Sequence, residues 1–152
     1  MSPFPGSTGS PDANGFPGFT GIAHIAVVVR DLETSVDWYE RALGFERVGD
    51  VRPGPVEAGH PRQLMRHAAG GLTLAVHEPL RRSGDLFDPS RTGLDHFSLT
   101  VADRAALEAW IRHLDGLGFP HSPVRDTGYA EFLTVTDPDG IPWELWAAGP
   151  QQ

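Results

Sequence analysis

Apolar residues fall in short blocks whose spacing alternates between the strand and the helix period. Ile22 to Val29 is nearly continuous in apolar character, which predicts a strand buried on both faces. From about Leu32 to Leu43 the spacing turns helical, with Val36, Tyr39 and Leu43 on one side. Asp31 stands where an N-cap is needed and Gly44 where a left-handed residue would end the helix. Phe45 to Val51 reads as a second strand, and Val51 to Pro61, with three prolines and two glycines, reads as a loop. Gln63 to His67 and Leu72 to His77 predict two strands joined by the turn Ala68-Ala69-Gly70-Gly71. The order is β-α-β-β-β.

After a polar connection from Arg81 to Thr92 the pattern begins again. His96 to Val101 predicts a strand, Asp103 a cap, Arg104 to Leu117 a helix and Gly118 its end. Phe119 to Val124 and Tyr129 to Thr136 read as strands. Asp137-Pro138-Asp139-Gly140 is a strong turn signal, and Ile141 to Ala147 is the closing strand. The two halves are in register at an offset of 72: Gly21 with Gly93, His24 with His96, Val29 with Val101, Asp31 with Asp103 and Trp38 with Trp110. A repeat of this kind decides architecture before any motif is read. The expected fold is α+β, with two pseudo-symmetric βαβββ modules, residues 19–80 and 93–148, forming one cup. Residues 81–92 connect them, and residues 1–18, rich in Gly, Pro and Ser, form a flexible tail.

Composition narrows the partners. A net charge of -8 over 152 residues argues against nucleic acid or an anionic membrane as the main partner. No apolar run approaches the roughly 20 residues of a membrane-spanning helix. The first eighteen residues lack the basic start and apolar stretch of a secretory signal. All twelve basic residues are arginine, so Schiff-base chemistry is excluded and guanidinium is the one permanent side-chain cation. The absence of cysteine removes thiolate chemistry and suits a cytoplasmic protein.

Each copy places one histidine, His24 or His96, at the same point of its first strand. Equivalent positions of two pseudo-symmetric sheets are expected to converge on one cavity. Glu144 lies within Pro142-Trp143-Glu144-Leu145-Trp146, where a carboxylate would be costly unless paired or bound to a metal. Two imidazoles and one carboxylate make a set that leaves coordination positions open. For a single histidine, a hydrogen-bonded strand residue is the simpler reading; recurrence in both copies favours the metal. Trp143 and Trp146 have opposite parity, so one of them can line the cavity and favour a flat apolar substrate. His60, His67, His113 and His121 fall in loops, turns or helix surfaces by pattern, and Trp38 and Trp110 read as helix-sheet core.

The duplicated pattern, the two Gly-x-x-His openings and the Asp-Pro-Asp-Gly turn before Trp143-Glu144-Leu145 resemble the vicinal oxygen chelate superfamily over about residues 19–148. That group includes glyoxalase I, extradiol dioxygenases, fosfomycin-resistance enzymes and bleomycin-resistance proteins. The resemblance implies one divalent ion (Fe, Mn, Zn, Ni or Co) held by His24, His96 and Glu144. It further implies a small, possibly aromatic, oxygen-chelating substrate and a dioxygenase or lyase/isomerase reaction. A non-catalytic binding or antibiotic-resistance protein of the same fold is the alternative. Glyoxalase I has a second acid on the last strand of its first module, where this chain offers Thr73 or Ala75. Extradiol dioxygenases have a further active-site histidine near the end of that strand, and His77 fits it, either as an acid-base group or as an exposed strand end. Their tyrosine would fall near Thr134; Tyr129 lies further up the same stretch. No cationic cluster of the fosfomycin-enzyme kind stands out. Members of the group pair modules within one chain or exchange them between two, and a homodimer is expected.

Overall fold

The computed structural model describes residues 21–53, 60–79, 81 and 84–149. The expected tail over residues 1–18 lies outside the described residues, as does most of the predicted loop between Val51 and Pro61. The chain folds in the order β1 (Ile25–Val28), α1 (Leu32–Leu43), β2 (Glu46–Pro53), β3 (Pro61–Arg66), β4 (Thr73–His77), β5 (Phe97–Val101), α2 (Arg104–Leu117), β6 (Arg125–Asp126), β7 (Ala130–Thr136) and β8 (Pro142–Ala148). The repeat is reproduced in the topology. One sheet has strand order β1-β4-β3-β2 and the other β5-β8-β7-β6. In each, the first strand pairs parallel with the last and the remaining pairs are antiparallel. β1 and β5 are therefore edge strands of their sheets.

The helices begin and end as their sequences dictate. The Asp31 carboxylate accepts from Thr34 N at 2.8 Å and that of Asp103 from Ala106 N at 2.9 Å, satisfying amides that have no partner within the helix. Gly44 (φ 71°) and Gly118 (φ 72°) end α1 and α2 in the left-handed region.

Two predicted strands differ. The first is shorter than Ile22 to Val29, and only one of its faces is covered: Val27 and Val29 are buried, while Ala26 and Val28 are exposed. Its continuous apolar run thus reflects an uncovered face rather than two covered ones. Phe119 to Val124 forms no strand. Pro120 and Pro123 remove amide donors there, the ladder is reduced to an isolated His121–Val135 bridge, and strand pairing starts only at Arg125.

Both modules contribute to one hydrophobic core. Its centre is Trp143 of β8, fully buried, with ring centroids 5.5 Å from Tyr39 and 6.4 Å from Phe45 of the first module and 4.6 Å from Phe97 of the second. The Asp-Pro-Asp-Gly turn ties the modules together in a second way. Asp139 Oδ1 accepts from Arg30 Nε at 2.8 Å and from Arg30 N at 3.1 Å, and Asp139 Oδ2 accepts from Ser35 Oγ at 3.2 Å. Tyr39 OH donates to Asp137 Oδ2 at 2.5 Å, and Asp137 Oδ1 accepts from the amides of Asp139 and Ile141. Burial pushes the Asp137 carboxyl up, opposed by the Tyr39 and amide donors, and pushes the Tyr39 hydroxyl up as well. Buried carboxylates need such partners.

Packing fixes which sheet faces stay open. Val27 and Val29 of the first module, and Trp143, Leu145 and Ala147 of the second, enter the shared core. The alternating residues, including Val28 on one sheet and Glu144 and Trp146 on the other, point away from it.

Candidate functional site

The second module's open face carries the more complete constellation. His96 immediately precedes β5, and Glu144 sits on the neighbouring β8, in register with Ser98 of β5 and Thr134 of β7. His96 Nε2 lies 3.3 Å from Glu144 Oε2, and His96 Nδ1 lies 2.6 Å from Asp95 Oδ1. A carboxylate can only accept, so Nδ1 carries its proton toward Asp95 and Nε2 is turned to Glu144. A neutral imidazole then sets its Nε2 lone pair against the Glu144 oxygens, an arrangement relieved by a proton or a cation between them. Metal–nitrogen and metal–oxygen bonds of about 2.0–2.2 Å fit a nitrogen–oxygen separation of roughly 3 Å, so the pair suits one shared ion. The Glu144 side chain is only 13% exposed, whereas that of His96 is 40% exposed.

An aromatic shelf adjoins this pair. Trp146 shares the Glu144 face two residues further along β8, and its ring stacks on Phe132 at 5.5 Å with planes 18° apart. Tyr129, 69% exposed, lies 5.8 Å from Trp146. Of the two tryptophans, Trp146 is on the open face and Trp143 in the core.

The first module's open face carries the other residues. His24 precedes β1, and His77 ends β4 in register with Val28 on one side and Arg62 on the other. The His77 ring is 5.0 Å from that of His60. Burial holds the His77 imidazolium below its ordinary range, and His60, Arg62 and His24 add like-charge repulsion. β4 supplies no carboxylate between Thr73 and His77, in keeping with the missing second acid of the glyoxalase I pattern.

His24 and His96 are expected to share a cavity with Glu144, and the described residues of one chain do not bring the three into a common ligand group. Among the described residues no three histidine, aspartate or glutamate side chains stand close enough to share an ion. His96 and Glu144 are together on one sheet, and His24 is with His77 on the other. Val27 and Val29 of one sheet and Trp143, Leu145 and Ala147 of the other enter the shared core, so the residues of opposite parity on each sheet face away from it. Three further residues belong to these surfaces. Asp95 was legible as the neighbour of His96. His60 and Arg62 were not, because only the β3–β4 register brings them to His77. His113 and His121 are engaged elsewhere, with the Arg41 carbonyl and with Ser122 and Asp115.

Comparison with known proteins agrees with this architecture. The chain is 30% identical over 136 residues to catechol-2,3-dioxygenase of Bacillus subtilis (strain 168), covering 87% of this chain and 43% of that enzyme. It spans less than half the length of the first curated relatives it matches. YaeR of Escherichia coli (strain K12) is 26% identical over 137 residues, 85% of this chain and 97% of that one. Among solved structures, a glyoxylase/bleomycin resistance protein/dioxygenase domain from Frankia sp. EAN1pec superposes with a TM-score of 0.77 at 26% identity, covering 87% of this chain and all of that one. The fosfomycin resistance protein FosX of Listeria monocytogenes, solved with Mn(II) and sulfate, gives 0.63 at 16% identity, over 88% of this chain and 96% of that one. The family model matches residues 21–145, and with the duplicated βαβββ fold this establishes that the chain belongs to the glyoxalase/bleomycin resistance protein/dioxygenase superfamily.

Proposed function

We propose that the protein is a divalent-metal enzyme acting on a small oxygen-chelating substrate, with each metal centre assembled from two chains. His24 of one chain would complete the pair His96 and Glu144 of the other, making the protein a functional homodimer. The observation that carries this reading is the His96–Glu144 pair, with Asp95 orienting the ring from behind. The exposed edges β1 and β5 support pairing between chains, since an unpaired edge flanked by exposed apolar side chains such as Val28 invites another strand. Iron, manganese, zinc, nickel and cobalt all suit the donor set.

A divalent ion held there would serve as a Lewis acid toward adjacent oxygens of the substrate. The chain's own groups supply the rest. Trp146 and Phe132 present a flat apolar surface beside Glu144, suited to a planar ring. His77, kept neutral by burial and its cationic neighbours, can accept a proton from a substrate hydroxyl near neutral pH. Tyr129, exposed beside Trp146, would supply a hydroxyl donor at the rim. The reaction class favoured is ring-cleaving oxygenation, by likeness to the dioxygenase relative; a lyase or isomerase reaction lacks the second acid. The aromatic shelf would equally serve a protein that sequesters a flat compound without turnover, and that second reading predicts ligand binding indifferent to metal.

The test is metal content after anaerobic purification, followed by a catechol panel. About one ion per chain and metal-dependent turnover support the enzyme; ligand binding unchanged by chelation supports sequestration. His77→Ala should cut turnover by roughly 10²–10⁴-fold, the range of a lost acid-base group, while metal content stays that of the wild type. A fall in metal content instead would make His77 a ligand.

A further inference from the structure

Four buried side-chain polar atoms among the described residues have no hydrogen-bond partner, and three of them meet in one corner of the first sheet: His60 Nδ1, Arg62 Nε and His77 Nδ1. Buried groups of this kind are partnered in most proteins, by protein groups or by ordered water, so three together call for a polar partner at this corner. Their arrangement follows from the register. Arg62 of β3 stands opposite His77 of β4 on one side and Arg52 of β2 on the other, which puts three nitrogen-rich side chains in a row across one sheet face. The His60 ring closes the row against His77 at 5.0 Å. Like charges directly opposite across strands are unfavourable, and neither Arg52 nor Arg62 forms an ion pair among the described residues. Two permanent guanidinium charges exclude a second metal ion at this corner, although its two imidazoles alone would suit one.

We propose that Arg62, His60 and His77 form an anion subsite that takes an oxyanion group of a small molecule, carboxylate or phosphate-like, with Arg52 at its edge. Arginine is the side chain best matched to such groups, offering parallel N–H donors to two oxygens. Because His24 lies on the same face, an acid bound here would direct the rest of the molecule toward that proposed metal ligand. The substrate class is therefore an anionic oxygen-chelating compound. Its role in turnover rests on the proposed metal centre; the anion binding itself does not.

The experiment titrates the full-length protein, as purified and again after chelation, with benzoate and with inorganic phosphate. It follows affinity by calorimetry and the imidazole resonances of His60 and His77 by NMR. Saturable binding of either probe is expected, with both imidazoles shifting, and the preferred probe tells a planar from a tetrahedral oxyanion. Arg62→Met should weaken it at least about tenfold, the loss expected for one charge-assisted hydrogen bond. His60→Ala, at the flank of the sheet, should weaken it in the same direction and guards against misfolding of the arginine variant. Glu144→Gln should bind the anions like the wild type even if it loses metal, which separates this subsite from the metal reading. Absence of saturable binding by the wild type, or wild-type affinity in folded Arg62→Met, would overturn the proposal.

Discussion

His96→Ala should abolish stoichiometric metal uptake, with affinity for Mn(II) or Fe(II) falling by more than about a hundredfold, beyond the range typical of a lost outer partner. Asp95→Ala should fall within that range, roughly 10–100-fold, because Asp95 contacts the imidazole and would act on a bound ion only through it. The ranking follows from geometry. His96 presents Nε2 to Glu144 and depends on Asp95 to hold its other nitrogen. Stability should move little in the His96 variant, since its side chain is 40% exposed and outside the core. Equilibrium dialysis with elemental analysis measures the uptake, and thermal unfolding checks the fold. Equal losses in the two variants would mean that the histidine is held as a structural hydrogen-bond partner only.

Trp143→Ala should lower stability by about 3–5 kcal/mol, the cost of a large cavity in a closed core. Its ring is fully buried and is in contact with Tyr39, Phe45 and Phe97, so the cavity would open between the modules. Because both halves share this core, and the Asp-Pro-Asp-Gly turn locks Arg30, Ser35 and Tyr39 to the second module, the loss should appear as one lowered transition. Denaturant unfolding followed by far-UV circular dichroism and by tryptophan fluorescence should give coincident midpoints. Two separated transitions would contradict the shared core.

These two residues also show what the sequence made legible. The duplication, helix caps and turn chemistry are local signals, and each survived folding: Asp31, Asp103, Gly44 and Gly118 act where their types predict. Strand parity correctly separated Trp143 from Trp146. The strand predicted near Phe119 fails because Pro120 and Pro123 withhold amide donors, leaving one isolated bridge. What could not be read was how the modules meet. Repeat symmetry suggests convergence of His24 and His96, but how the modules pack depends on long-range contacts such as Tyr39 with Asp137 and Arg30 with Asp139. His60 and Arg62 escaped for the same reason, since their significance comes from the register between β3 and β4.

The measurement that bears most directly on the account is metal uptake by mixed variants. His24→Ala and Glu144→Gln chains, each deficient in metal alone, would be denatured together, refolded and assayed. If each centre takes His24 from one chain and His96 with Glu144 from another, every mixed pair regains one intact site. Random pairing in a two-fold dimer would then restore about one ion per four chains. No recovery from the mixture, with both variants folded and dimeric, would contradict a centre shared between chains.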